Sequence, residues 1–541
     1  MTISECPRCG HHLAAELKAQ RLDIHLANGT VERDHQEGVS ALEAEVRRLK
    51  DLIPRLQEEK ASLLRRINNA QAKTRHLPFE VLSNIFQFAR PPIDFTAYEP
   101  TFYYIEDPDF PPLTGYFDPA EYFHHTLAAV SHRWRQVALS TPQLWTSISL
   151  RVLNTFTEFN TSLLDLYFKN VHNLPISIRL DLSNPAFAWT AGSGWKRTDF
   201  LTRLEPLEEI IFNRNAGKIQ SLVCIQPPTE WFLSGYGNLS HCTSITVYWS
   251  NTDTEHGGFC LDLADLPCLQ HVKLIDSDVQ FTLPTTLSAL QLSGTTSTQC
   301  LQSLQDLPYL VELEITDGSV SLWLDENLNS TKLIVLHCLK KFTWNGISVN
   351  GDHNFLRYVR FVNLTTFQWC ERKGTRGALS EEGRGLRLAF FSSLPSTLSS
   401  LTFGNLKTDF PGLVDLLYCV PQLAELHFTG SPWEVVVGAV EAIGRRPANR
   451  GTSSSHSNIL PHLYTLSVSG TGSKIDAFIF IEMLEALHAA GPRLKQFLLT
   501  TDSDVKWRRG ALREIRVLLS SGMDVKVIYD RGEFTYSVPS D

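Results

Sequence analysis

The sequence predicts an α+β multi-domain chain: an N-terminal heptad helix, a small three-helix unit, and an irregular α/β solenoid of horseshoe type. Three observations predict it. Apolar residues recur at alternating spacings of four and three through residues 41–72, the pattern of a helix packed along a narrow stripe. Residues 75–150 hold a proline-bounded helix, a second helical stretch and a third helix start. From about residue 151 the chain turns to short strand-like runs, and one leucine-patterned unit recurs, as in stacked repeats. The expected divisions are a tail with CxxC over 1–36, the heptad helix over 37–74, the helical unit over 75–150 with an insertion at 90–125, and the solenoid over 151–541.

Composition narrows the classes. At 541 residues the chain is long enough for roughly three to four domains or one long array. Its 43% hydrophobic content supports a sizeable core, and a net charge of −9 weighs against non-specific binding to nucleic acid. No run reaches the ~18–20 apolar residues that span a bilayer, so no membrane association is expected. The opening MTISECPRCGHHLAAELKAQ has no charged stretch followed by an apolar one and does not read as a signal peptide. Ten cysteines lie scattered rather than densely paired, which predicts reduced thiols and a cytoplasmic or nuclear location. Cys6 and Cys9, with His11 and His12 beside them, make half of a tetrahedral zinc site; a second ligand pair is missing, and no metal or cofactor is assigned.

In the heptad segment Leu42, Val46, Leu49, Ile53, Leu56, Leu63, Ile67 and Ala70 form the stripe, with Lys60 at its one polar position. Glu, Arg and Lys populate the other faces, and Pro54 is expected to kink or divide the helix. The pattern suits self-association through residues 41–72 and packing against the chain's own next domain equally well.

The stretch RHLPFEVLSNIFQFARPP predicts a helix from Pro78 to about Ala89, with Val81, Leu82, Ile85, Phe86 and Ala89 on one side. In TLAAVSHRWRQVALS a second helix puts Leu127, Val130, Trp134 and Val137 on a stripe. Thr141 as N-cap and Pro142 in the first turn predict a third, carrying Leu144 and Trp145. Three short helices make a small core, so burial against a partner or the following domain is expected. The connection PPIDFTAYEPTFYYIEDPDFPPLTGYFDPAEYFHH has seven acidic residues, ten Phe or Tyr, seven Pro, and neither Lys nor Arg. Its prolines forbid a regular helix and its aromatics need burial, over the chain's own domain or against a partner.

The repeating unit is clearest in LPCLQHVKLIDS (266–277), LPTTLSALQLSG (283–294), LPYLVELEITDG (307–318) and LPSTLSSLTFGN (394–405). It returns in VPQLAELHFTGS (420–431), LPHLYTLSVSGT (460–471) and GPRLKQFLLTTD (491–502), with weaker copies at LEPLEEIIFNRN (204–215) and LKKFTWNGIS (339–348). The shared core is Pro, then Leu-x-x-Leu-x-Leu, whose last two apolar residues flank one exposed position as in a strand with one face inward. Strand-face residues such as Gln270, His271, Lys273, Glu312 and Glu314 are therefore expected outside. DAFIFIEMLEALHAA (476–490) reads as an outer helix, residues 371–385 and 444–458 as projecting loops, and Cys419 in LLYCVPQL as a strand residue. No phosphate-binding, dinucleotide, zinc-protease or nucleophile-elbow motif occurs, so the chain is expected to be non-catalytic.

These residues carry a resemblance. LPFEVLSNIF, followed in order by VSHRW and then LW, resembles the F-box in the F-box-like form of basidiomycete fungi. The heptad helix before it and the repeats behind it are similar to the architecture of those proteins, whose C-terminal region is of leucine-rich-repeat type. The asparagine that usually follows the strand in leucine-rich repeats is mostly absent; Asp276, Ser293 and Asp317 stand near its place. The resemblance implies the substrate-recognition subunit of an SCF-type (cullin–RING) ubiquitin ligase. Its F-box would bind the Skp-family adaptor, and through it the cullin, while the repeats bind an unidentified target protein. Carried over residue by residue, the adaptor contact falls on Leu77, Pro78, Val81, Leu82, Ile85 and Phe86. Val130, Ser131, Trp134, Leu144 and Trp145 complete it or form the small helical core. The connection between the first two helices, a few residues in the family, is about 36 here. The alternative is an adaptor-independent scaffold assembling through the heptad helix and the solenoid.

Overall fold

The computed structural model describes residues 33–71, 73–93, 95, 123–152, 157–182, 197–231, 238–249, 260–275, 280–295, 297–316, 333–347, 353–371, 381–406, 412–444, 459–470, 494–501 and 522–529, with isolated positions between 483 and 520. Two compact units are distinguished: residues up to Leu82 with Ala128–Arg135, and Ser83–Leu127 with Gln136 onward.

The described residues up to Leu139 are mainly helical. Helix α1 runs from Arg33 to Gln71 and is not divided at Pro54. A proline there removes one N–H bond and crowds one carbonyl, a cost of about 3 kcal/mol, but the turns on either side are long enough to propagate independently. A 3₁₀ turn, Lys73–His76, leads to α2, Phe79–Ala89, whose first helical bond runs from Leu82 N–H to the Pro78 carbonyl at 3.1 Å. The single helix expected over 126–140 is two, α3 (Phe123–Val130) and α4 (His132–Leu139). Ser131 separates them because its Oγ accepts the Trp134 N–H at 3.1 Å, capping α4. Trp134 is then held by its own indole N–H, which donates to Thr74 Oγ1 at 3.0 Å.

In the second unit the expected third helix is only a 3₁₀ turn, Pro142–Trp145. Thr141 sits at the cap position without capping it; its hydroxyl donates instead to the Val137 carbonyl at 2.7 Å and meets Ser83 Oγ at 2.9 Å. The sheet begins immediately, at β1 (Ser147–Arg151), four residues before the boundary expected at 151. Next come β2 (Ile176–Asp181), β3 (Ile219–Ile225), β4 (Ser244–Tyr248), the short β5 (Cys260–Asp262), β6 (His271–Ile275), the short β7 (Gln280–Thr282), β8 (Ala289–Ser293) and β9 (Glu312–Thr316). After them run β10 (Ile334–Leu336), β11 (Lys341–Ile347), β12 (Val359–Phe361), β13 (Thr366–Glu371) and β14 (Ser400–Gly404). The described residues end with β15 (Glu425–Thr429), β16 (Thr465–Ser469), β17 (Gln496–Thr501) and β18 (Asp524–Tyr529).

Fourteen of these strands form one parallel sheet in chain order, β5 pairing with β7 and β10 with β12 beside it. Parallel neighbours need a crossover each time; several carry helices, α5 (Thr157–Asn170), α6 (Arg197–Glu208), α7 (Ser297–Leu304), α8 (His353–Tyr358), α9 (Glu381–Ser392), α10 (Leu413–Tyr418) and α11 (Trp433–Gly444). This mixed α/β unit with its long parallel sheet resembles a repeat-type solenoid.

The Leu-Pro opening has a physical reason. In Leu266-Pro267-Cys268-Leu269 the Leu269 N–H bonds the Leu266 carbonyl at 3.3 Å, closing a turn with proline at its second position, where φ near −65° is wanted. The same bond joins Leu310 to Leu307, Leu423 to Val420 and Leu463 to Leu460; in the five-residue forms it shifts by one, from Leu287 to Pro284 and from Leu398 to Pro395. The turn buries the leucine that closes it and launches the strand two residues later.

In-register pairing then stacks like upon like. One inward row runs Ile148, Ile178, Leu222, Ile245, Val272, Leu290 and Leu313. It continues through Phe342, Phe367, Leu401, Leu426, Leu466, Phe497 and Val525. The Phe342 and Phe367 rings stack at 5.3 Å, and Trp344 and Trp369, two residues further along, lie 5.5 Å apart. Gly404 ends β14 because nothing larger fits: a Cβ there would lie 2.2 Å from Cys370 Sγ.

Some sequence expectations are corrected. The weak copy at 204–215 is not a strand: α6 runs into a π turn, Glu209–Arg214, since Leu204, Leu207, Ile210 and Ile211 follow helical spacing and are all buried. In 371–385, Glu371 ends β13 and residues from Glu381 belong to α9; of the second loop, residues 445–458 lie outside the described residues. Cys419 follows the end of α10, whose Leu413, Leu416 and Leu417 recur at helical spacing, and is not in a strand. Of 476–490 only the buried, helical Met483 is described.

Candidate functional site

Helix α2 is apolar on two sides, and the two sides have different fates. Leu82 and Phe86, four apart, are fully buried with Ser83 between them. Val81, Ile85 and Phe88 follow the same helical spacing on the other side and are exposed, Phe88 to 91%, with Phe79 exposed at the first turn. The expectation that Val81, Leu82, Ile85, Phe86 and Ala89 share one side is therefore corrected: Leu82 and Phe86 are core, and Ala89 is exposed. Phe79 and Phe88 were missed as surface residues, although Phe88 lies three after Ile85 and seven after Val81. A burial-neutral reading of the helix could not separate its two apolar sides.

The remaining motif residues divide likewise. Pro78 and Val130 are exposed; Leu77 and Trp134 are half-buried, and the Leu77 carbonyl accepts from Arg133 Nη2. Ser131 is a helix cap. Leu144 and Trp145 are core. Trp145 donates its indole N–H to the Ala138 carbonyl at 2.8 Å and packs edge-on against Tyr167 at 4.9 Å and beside His124 at 5.1 Å. His124 joins the cluster through both nitrogens: Nε2 donates to the Leu144 carbonyl, so Nδ1 accepts the Tyr167 hydroxyl at 3.0 Å.

Arg90, which no sequence motif singles out, anchors the end of α2. Its guanidinium donates to the carbonyls of Gln143 at 3.0 Å and Ser147 at 3.1 Å and to the hydroxyls of Thr146 and Ser147. Burial lowers its pKa, an effect that Tyr167 partly opposes. The helix carrying the exposed apolar side is thereby tied to the turn that enters β1.

The second candidate surface is the polar side of the sheet. Gln270, His271 and Glu312 are exposed there, and Lys273 and Glu314 partly so. Lys341 pairs with Glu312 at 3.9 Å, and Asn345 Nδ2 donates to Glu314 at 3.4 Å. On β3 and β4 this side carries an apolar patch, and Phe95 packs against Val223, Ile225 and Tyr248. The insertion therefore begins on the chain's own sheet; residues 96–122 lie outside the described residues.

Buried thiols carry no nucleophilic promise. Burial pushes Cys242 and Cys300 up to about 12, and Cys224 further still. Among the described residues no cluster of His, Cys, Asp and Glu could hold a metal ion, and no helix is long and apolar enough to cross a membrane. Cys6, Cys9, His11 and His12 lie outside the described residues.

Neither family models nor curated proteins give a match. Among solved structures, the leucine-rich repeat-containing protein LegL7 from Legionella pneumophila is similar over 56% of this chain and 91% of its own, at 13% identity and a TM-score of 0.32.

Proposed function

We propose that the chain is the substrate-recognition subunit of an SCF-type ubiquitin ligase, non-catalytic itself, with an F-box-like segment that binds a Skp-family adaptor and leucine-rich-type repeats that bind the target. One observation carries the reading: α2 keeps Leu82 and Phe86 for its own core and presents Val81, Ile85 and Phe88 to solvent. Large apolar and aromatic side chains clustered on one exposed side are the usual anchors of a protein interface. The adaptor contact is accordingly assigned to Pro78, Val81 and Ile85, joined by Phe79 and Phe88. The receptor's contribution to ubiquitin transfer is proximity: it holds the target near the charged enzyme and raises its effective concentration. Co-purification of the full chain with a Skp-family adaptor tests this. Binding by the wild type and its loss in Val81→Asp/Ile85→Asp support the reading; a folded wild type that fails to bind overturns it.

The uncovered stripe of α1 favours a second reading, an adaptor-independent scaffold. It predicts that deletion of residues 41–72 abolishes assembly while the adaptor has no effect on it.

A further inference from the structure

Helix α1 is 39 residues long, about 58 Å at 1.5 Å per residue, and its apolar seam has no cover among the described residues. Leu42, Val46, Leu49, Ile53, Leu56 and Leu63 remain between 43% and 58% exposed, where equivalent side chains of the sheet are near zero. Most helical stability in proteins comes from packing an amphipathic side, so a helix carrying Gly38 and Pro54 and no cover lacks its main support. Something must lie along it.

We infer that the occupant is α1 of a second copy, paired in a parallel, in-register, two-stranded coiled coil. The seam itself points there. Its first heptad position holds Val39, Val46, Ile53, Lys60 and Ile67, β-branched in all but one. Its fourth holds Leu42, Leu49, Leu56, Leu63 and Ala70. β-branched residues at the first position with leucine at the fourth are the combination that favours two parallel strands.

Register follows from the exception. With the two helices in register, Lys60 faces Lys60, and each ammonium reaches the Glu59 that precedes the seam on the other strand. A slip of one heptad, or an antiparallel arrangement, sets each lysine against Ile or Leu and leaves a charge among methyl groups. Glu45 of one strand likewise opposes Lys50 of the other. No like charges face each other across the remaining flanks, where Leu52 and Leu64, both exposed, widen the apolar strip. Pro54 falls on the outer side and does not intrude.

The chain already shows one socket. A shallow groove on α1 is lined by Val39, Leu42, Glu43, Val46, Arg47 and Lys50. Residues i, i+3, i+4 and i+7 of one helix are the four that receive a single knob from a facing helix.

The inference is independent of the adaptor reading and is tested without an adaptor. Light scattering of the full chain at micromolar concentration should give twice 61.0 kDa, and Leu49→Asp/Leu56→Asp should give the monomer mass. Both leucines are exposed in the single chain, so an unchanged thermal transition of the repeats will show that the variant still folds. Leu42→Cys reports direction: under mild oxidation a cross-linked dimer that the wild type lacks supports the parallel arrangement. A monomeric wild type, a dimer indifferent to the double substitution, or a dimer without the cross-link overturns the inference.

Discussion

Ile85 and Phe86, consecutive on α2 and so about 100° apart around its axis, have opposite fates: Ile85 is 43% exposed and Phe86 1%. The pair separates what the fold needs from what a partner could use. Phe86→Ala should cost about 3–5 kcal/mol, the usual range for emptying a buried aromatic site, and lower the melting temperature accordingly. Ile85→Asp should leave stability within about 0.5 kcal/mol and abolish adaptor capture. Thermal denaturation beside a pull-down reads both.

Ser131 and Trp134 make a second test. Removing the cap by Ser131→Ala should destabilise by about 1 kcal/mol. Trp134→Phe loses the bond to Thr74 and should cost a similar amount. Because both act on α4 and its neighbours, chemical denaturation should show the midpoint moving with little change in slope.

Arg387 and Glu371 are a buried ion pair at 3.1 Å, with the guanidinium 5.2 Å from the centre of the Trp369 ring. Glu371→Gln or Arg387→Met alone removes the charge partner of a buried group and should cost about 3–5 kcal/mol. The double replacement by methionine should recover much of that loss. A cycle in which the double variant is worse than either single one would contradict this account.

Buried thiols set the alkaline limit. Cys242 and Cys300 have their pKa raised by burial from 9.0 to about 12, so they stay protonated in the folded chain while unfolded thiols ionise near 9.0. Above pH 9 the unfolded state therefore binds fewer protons, and stability falls as pH rises to about 12. The contribution is fully present below pH 9 and declines by about 1.4 kcal/mol per pH unit for each thiol above it. Thiol labelling of the native chain near pH 8 should modify the exposed Cys260, Cys268 and Cys338 and spare Cys224, Cys242 and Cys300.

Much of the solenoid was legible from the residues alone. Leu-Pro followed by alternating leucines specifies a turn and then a half-buried strand, both local properties, and eight of the expected units are strands of the large sheet. Its first four strands escaped notice. β1 (SISLR) does follow a proline turn, Thr141-Pro142-Gln143-Leu144, with the Leu144 N–H on the Thr141 carbonyl at 3.1 Å, and β2 (ISIRLD) follows Leu174-Pro175 directly. Neither has the Leu-x-x-Leu-x-Leu spacing after its proline. The copy at 204–215 misled for the complementary reason: its leucines fit either period, and burial chose the helical one.

What the sequence by itself determined was periodicity: the alternating four-and-three apolar spacing along α1, the length of α2 and the strand units. Only the tertiary structure decided which side of each element is covered. Leu82 and Ile85 are both large, apolar and correctly spaced, and no property of either residue says which meets the core. Nor could unequal repeats declare their register, because in a parallel sheet the partner lies one crossover away, and the crossovers differ in length. Backbone pairing aligned Leu222 with Ile245 and Phe342 with Phe367, and that alignment put His271, Glu312 and their neighbours on the open side. Burial is a relation between segments distant in the chain, so it enters only when those segments have found one another.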